Sequence, residues 1–283
     1  MISKILQIIC LGLFVHNVSM ASEQGFVFVP FKQSMNVNGA VSNKWFQEFE
    51  NVYEKRNPSV FKSAGWPMIP KKIHQIWLYN STIPVELSKN IALWKEMYPD
   101  WEYKLWLVED VNSLDLSMQD LYRKTRKISE KLDIAKFEIL NKFGGIYIDI
   151  HYVPIQNMSY LSNYYKFYAG LDPIKDNKGD IEISTALIAA RKNELFINKT
   201  LVAIREEWHK QKYYKDFTKD IFNKVVKANL VGDQRSIVFP TSYFGVVTRD
   251  HPLISFVSKY VFFRHTGFFN KIHKETIAAK QRY

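Results

Sequence analysis

A double glycine, Gly144-Gly145, between a helical pattern and a short apolar run is the feature that most limits how this chain can fold. Before it, Ile128, Leu132, Ala135 and Ile139 recur at i, i+4, i+7 and i+11, which predicts an amphipathic helix. After it, Ile146 to Ile150 reads as a strand with both faces buried, the pattern of a parallel sheet. That strand carries Asp149 and then His151 to its carboxyl end, the side where open α/β sheets bind ligands. Residues two apart in a strand point the same way, about 6.6 Å apart at about 3.3 Å per residue. Only a bend at the strand end lets both side chains reach one cation.

The flanking chain alternates strands with helices. Trp45, Phe46, Phe49 and Tyr53 fall at helical spacing from Asn43 to Arg56. Ile69 to Tyr79 reads as a first core strand and is followed from Pro84 by a helix with Leu87, Ile91, Trp94 and Tyr98 on one face. Tyr103 to Leu107 is the next strand, so the unit is βαβ and its strands are parallel. Beyond the double glycine, strands are expected at 166–170, 183–189 and 236–239, with helices at 194–210 and 217–229. Phe256 to Phe263 is aromatic-rich and leads into Arg264-His265. The fold class expected is α/β, with one domain over 67–270, an arm and packing helix over 22–66, and a basic tail over 271–283.

Net charge is +11, with much of it in Arg123 to Lys127 and the Lys271 to Arg282 tail. Such runs are usually solvated faces, but they also favour anionic partners such as nucleotide diphosphates, acidic glycans or membrane headgroups. No nucleic-acid motif is present, so no nucleic-acid partner is expected. Lys4, the apolar run Ile5 to Val15 and Ser19-Met20-Ala21 fit a signal peptide over residues 1–21. The run is shorter than the roughly 20 residues of a membrane span. An exported chain is therefore expected, in a secretory lumen, or secreted or delivered into a host if microbial. The single cysteine, Cys10, falls inside that signal, which excludes disulfides and thiol catalysis from the mature chain.

Several segments, in order, resemble the glycosyltransferases with a DXD sugar-binding motif, a family with yeast-type initiating α-mannosyltransferases and, more distantly, the clostridial glucosylating toxins. The segments are Ile69 to Trp77, Trp94 to Trp106, Asp133 to Leu140 with Gly144 to Asp149, Ile183 to Ala190, and Arg264-His265. The resemblance implies the GT-A fold, a Rossmann-like domain with a mainly parallel sheet that binds a nucleotide sugar and a divalent ion. It also implies a retaining transfer of a hexose from a UDP- or GDP-linked donor to a glycan, glycolipid or protein acceptor.

Matched residue by residue, Trp77 lies where the family meets the nucleotide base, although core packing is an equal use for an indole. Asp133 matches the aspartate that contacts the donor sugar, and Lys136 holds the place of an arginine that touches the same sugar. By spacing alone Asp133 and Lys136 are a surface ion pair worth under about 1 kcal/mol. Asp149 matches the first carboxylate of the motif, whereas His151 stands where the family usually has the second, its main metal ligand. An Asp-x-His version serves Mn²⁺ in the polypeptide N-acetylgalactosaminyltransferases, where a late histidine completes the set. A site of Asp149, His151 and His265 is expected here, and imidazole favours Mn²⁺ over Mg²⁺. The rivals are a decayed motif in an inactive secreted sugar-binding protein or effector, and a glycosidase, for which spacing singles out no carboxylate pair. The basic surface also admits peripheral membrane contact.

Overall fold

The computed structural model describes residues 26, 28–35, 41–174, 181–213 and 216–244, and the backbone of 263–265. The expected signal peptide and basic tail lie outside the described residues. The first long helix, α1 (Lys44–Arg56), is capped by Asn43, whose side chain accepts from the Trp45 N–H at 2.8 Å. Strand β1 (Lys72–Ile76), helix α2 (Val85–Met97) and strand β2 (Glu102–Trp106) follow as the expected βαβ unit. Helix α3 (Ile128–Phe143) then runs into β3 (Gly145–Ile148) through Gly144 alone. Strands β4 (Tyr152–Pro154), β5 (Phe167–Leu171) and β6 (Ile183–Ala190) come next. Helices α4 (Leu195–Glu207) and α5 (Phe217–Asn229), then β7 (Ser236–Phe239) and β8 (Phe263–His265), complete the order.

Six strands form one sheet in the order β2-β1-β3-β6-β5-β7. β6 pairs antiparallel with both β3 and β5, and every other pairing is parallel. The expected α/β class with a mainly parallel sheet is borne out. The reversed direction of β6 is legible only from pairing, because a buried strand looks the same in sequence either way. From β1 the chain moves outward to β2 and then returns to β1's other side as β3. That reversal opens a crevice between the carboxyl ends of β1 and β3, where such sheets take ligands. A separate pair, β4 with β8, sets Tyr152 opposite His265.

Aromatic residues fill much of the core. Phe26, Phe31, Phe46, Phe49 and Tyr53, from the segment read as an arm and helix, are buried with the sheet residues, and α1 packs on β7. The Tyr53 and Tyr243 hydroxyls meet at 2.7 Å, and both reach Val29, the first through its carbonyl and the second through its N–H. Both hydroxyls are thereby satisfied inside an apolar cluster.

Steric limits explain the double glycine. Both residues have positive φ, +63° at Gly144 and +103° at Gly145. A Cβ on Gly144 would lie 2.6 Å from the Lys192 nitrogen, and one on Gly145 would lie 2.7 Å from the Lys72 carbonyl. Only glycine admits both the conformation and the approach. His74 locks the same turn. Its Nε2 donates to the Gly144 carbonyl at 2.9 Å, and its Nδ1 accepts from the Trp106 indole at 3.2 Å. Burial holds this imidazole's pKa down to about 4 from the usual 6.5.

Two outcomes follow from this geometry. Gly145→Ala should cost at least about 2 kcal/mol in denaturant unfolding, since strain and clash act together. Gly65→Ala, at a positive φ of +81° with nothing within 4 Å of the added Cβ, should cost only about 1 kcal/mol. Because His74 resists protonation only in the folded chain, its stabilisation is full above about pH 6.5 and is lost as pH falls toward 4, by up to about 3 kcal/mol. Unfolding midpoints across that window should fall less steeply in His74→Gln than in the unaltered chain.

Candidate functional site

The crevice between β1 and β3 is built around Asp149. β3 ends at Ile148, and the Asp149 N–H donates to the Ala186 carbonyl at 2.8 Å, its last tie to β6. The chain then turns, with the Tyr152 N–H donating to the Asp149 carbonyl at 3.0 Å. Asp149 Oδ1 accepts from the His151 N–H at 2.9 Å, an Asx-type turn, and lies 2.6 Å from His151 Nδ1. The bend required by the two-residue spacing is therefore present, and carboxylate and imidazole face each other. The Asp149 side chain is 27% exposed and that of His151 8%.

Side-chain donors hold the backbone of this turn from three sides. Gln75 Nε2 donates to the Asp149 carbonyl at 3.3 Å, Asn90 Nδ2 to that of Ile150 at 3.5 Å, and the Trp94 indole to that of Tyr152 at 2.9 Å. Gln75 is itself oriented by Tyr103, whose hydroxyl donates to Oε1 at 2.6 Å. The sequence reading missed Gln75 and Asn90 and placed Trp94 only on a packing face. The sequence offers only a weak signal for them, a polar residue inside an apolar strand and an Asn three residues after Leu87; their burial shows in the structure alone.

The other expected residues surround Asp149. Lys136 Nζ pairs with Asp133 Oδ1 at 2.7 Å, with side chains 6% and 17% exposed, so this is a mostly buried pair and not the surface pair that spacing predicts. α5 and β6 cover it: Thr218 donates to Asp133 Oδ2, and Lys136 donates to the Thr185 carbonyl at 3.1 Å. The ammonium also stands 4.8 Å from the centre of the Tyr147 ring. Burial, then Asp149 and Asp133, hold the Tyr147 phenol far above its usual pKa, so both carboxylates bear on one ring. The Tyr152 phenol is raised by burial, Asp149 and Asp172. Asp172 in turn is paired with Lys219 at 2.8 Å, and Lys219 reaches Glu182 at 2.6 Å.

Trp77 continues β1, its N–H donating to the Trp106 carbonyl, and its ring is buried with Leu87 and Ile150. Its indole N–H is spent on the Ser81 carbonyl at 2.9 Å. The aromatic surface open at the crevice belongs to Tyr79, 37% exposed and 4.8 Å from the Trp77 ring centre. Burial and then Asp149 raise the Tyr79 phenol's pKa, which puts it within the same field. The sequence reading did not select Tyr79.

The donor set suits a divalent cation. Two ligands at about 2.1 Å and at right angles lie about 3 Å apart, so a cation shared by these two atoms would take the place of the proton in the 2.6 Å contact and widen it slightly. Among the described residues no group of three or more His, Cys, Asp or Glu side chains is placed to hold a metal ion. The side chain of His265 lies outside them, but its backbone is registered against Tyr152, the residue after His151.

Residues 84–168, which contain Asp133, Lys136, Asp149 and His151, match the family model described as a glycosyltransferase sugar-binding region containing a DXD motif. The resemblance read from the sequence is borne out. An uncharacterised protein of Acanthamoeba polyphaga mimivirus is 32% identical over 145 residues, 48% of this chain and 24% of that protein. A mannosyl phosphorylinositol ceramide synthase of Saccharomyces cerevisiae is 30% identical over 107 residues, 34% of this chain and 28% of that enzyme. The matches thus span well under half the length of these curated relatives. Among solved structures, the PaToxG glycosyltransferase is 20% identical, with 66% of this chain and 78% of that chain covered and a TM-score of 0.43.

Gln75 and Tyr103 supply the test of the turn's support. Gln75→Leu should cost about 1–3 kcal/mol, because it removes the second donor to the Asp149 carbonyl and strands the Tyr103 hydroxyl. Tyr103→Phe should cost about 1 kcal/mol. The double variant should lose less than the sum, since the two share one hydrogen bond; a strictly additive cycle in denaturant unfolding would break the proposed linkage.

Proposed function

We propose that the chain is a nucleotide-sugar-dependent glycosyltransferase that moves a hexose from a UDP- or GDP-linked donor to a hydroxyl of a glycan, glycolipid or protein. The observation that supports this most directly is the contact of Asp149 with His151 at the β1–β3 crevice, inside the segment matched to the sugar-binding region. In this reading Asp149, His151 and His265 hold a divalent cation, with Mn²⁺ preferred because an imidazole is in the set. Such a cation supplies charge neutralisation for a departing diphosphate.

The chain's own residues do the rest. Tyr79, backed by Trp77, offers a face to the base. Asp133 accepts hydrogen bonds from donor-sugar hydroxyls, and Lys136 holds that carboxylate in place through their ion pair. The buried flank of Tyr147 and Lys136 excludes water from the side of the sugar opposite the entrance. Retention of the donor's anomeric configuration belongs to the same reading and is read from the linkage of the product. The amino-terminal pattern supports export into a secretory lumen or delivery out of a microbe. Among the described residues no helix is long and apolar enough to cross a membrane.

One feature favours a second reading, a sugar-binding protein without turnover: His151 replaces the second carboxylate of the motif. A donor panel separates the two. Incubation with UDP- and GDP-hexoses should release nucleoside diphosphate with Mn²⁺ and not with chelator, and Asp149→Asn should abolish release. In calorimetry, Mn²⁺ should strengthen nucleoside diphosphate binding. His151→Asp, which restores two carboxylates, should shift the preference toward Mg²⁺. Nucleotide binding indifferent to metal would defeat the metal site, and sugar binding with no donor cleavage on any donor would favour the second reading.

A further inference from the structure

β2 is the outermost strand of the six-stranded sheet, and among the described residues no strand lies on its far side. Its ladder to β1 uses alternate residues. The Glu102 N–H donates to the Lys71 carbonyl at 3.0 Å, and the Trp106 carbonyl accepts from the Trp77 N–H at 2.8 Å. Glu102, Lys104 and Trp106 therefore turn their peptide groups toward β1, in the register that pairs Lys72 with Glu102 and His74 with Lys104. Tyr103 and Leu105 turn theirs outward, to the open side. An edge of this kind is a template for another strand unless something blunts it.

A single charge commonly blunts such an edge, but here two charges of opposite sign flank one residue. Glu102 and Lys104, on either side of Tyr103, project from the same face of the sheet. The Glu102 side chain is 60% exposed and that of Lys104 40%. Within the chain Glu102 pairs with Lys72 at 2.6 Å and Lys104 with Asp110 at 3.0 Å.

An antiparallel second copy of β2, with the two-fold axis beside Tyr103, sets Glu102 of each chain opposite Lys104 of the other. Tyr103 then faces its own counterpart, and the two exchange both backbone hydrogen bonds. The Glu–Lys pairs fall at the neighbouring non-hydrogen-bonded positions, where Cα atoms are about 4.5 Å apart and side chains are closest. Because Lys72 is already beside Glu102, the signs alternate across the joint. The ladder permits only registers that bring outward peptide groups together. The next ones on either side set Glu102 against Glu102 or Lys104 against Lys104, so like charges oppose them.

We infer that the protein self-associates through β2 as a two-fold dimer in this register, which joins the two sheets into one. The pairing is antiparallel, so the two β1–β3 crevices open toward opposite ends of the joined sheet. The dimer does not rest on the transferase reading. Five residues make a narrow joint, and the association is correspondingly weak.

The test is analytical sedimentation of the full chain over a range of concentrations. The unaltered chain should dimerise with a dissociation constant on the order of 10 µM, and more weakly at high salt. Glu102→Lys sets lysine against lysine on both sides of the axis, and Lys104→Glu sets acid against acid. Either alone should weaken self-association at least about tenfold. Mixed in equal amounts, the two variants should associate, because the lysines of one then face the glutamates of the other. The double variant with both changes should dimerise by itself. In the unaltered chain, hydrogen exchange of the Tyr103 and Leu105 amides should slow as concentration rises. A chain still monomeric at about 100 µM overturns the inference and leaves the edge to a different occupant. So does a dimer whose formation leaves those two amides unprotected, or one indifferent to both single charge changes. Loss of association in the single variants that neither the mixture nor the double variant restores overturns the register.

Discussion

The turn from Asp149 to Tyr152 is held by its carbonyls, and the arrangement of the site depends on that. A bend at a strand end exposes peptide oxygens that the sheet no longer satisfies, and a buried oxygen without a donor costs about 1–3 kcal/mol. Gln75, Asn90 and Trp94 supply those donors from β1 and α2, the two elements of the first βαβ unit. The same bonds that make the bend tolerable also aim the Asp149 carboxylate at the His151 ring. Positioning here is backbone work done by side chains, and it fixes the loop more firmly than packing alone could.

Around that loop the tyrosines are distributed with a consistent logic. Tyr147, Tyr152 and Tyr79 all lie within the field of Asp149, and burial together with that field keeps each phenol protonated. A neutral hydroxyl beside a carboxylate lends polarity without adding charge, so the positive charge of Lys136 is the main local counterweight to Asp133. Asp172 is neutralised separately, because the carboxylates facing Lys219 outweigh the burial that would otherwise lower its pKa, and the ammonium stays charged.

Much of this was legible in the sequence. The helical spacing of α3, the apolar β3 and the glycine break between them carried their own periodicity, and the βαβ order implied parallel strands. Asp149 and His151 were found because a strand end in such a sheet is where chemistry collects. What was hidden depends on contacts remote in sequence. An i, i+3 pair such as Asp133 with Lys136 has the same spacing whether solvent or α5 covers it. Gln75 looks like a polar interruption in β1 until the turn it supports is placed beside it. Tyr79 gains its position from Trp77, whose ring is consumed by the satellite cluster with Leu87 and Ile150.

The pairing of β4 with β8 has a consequence for how the molecule assembles. Residue 152 finds its partner at residue 265, so this small ribbon closes a far longer loop than any pairing in the β2-β1-β3 half of the sheet. Loop-closure entropy rises only slowly with length, but contacts so remote form late and slow the search. The pairings of β1, β2 and β3 need no part of the chain beyond residue 148, so this half of the sheet can be complete before residue 265 has been joined to residue 152.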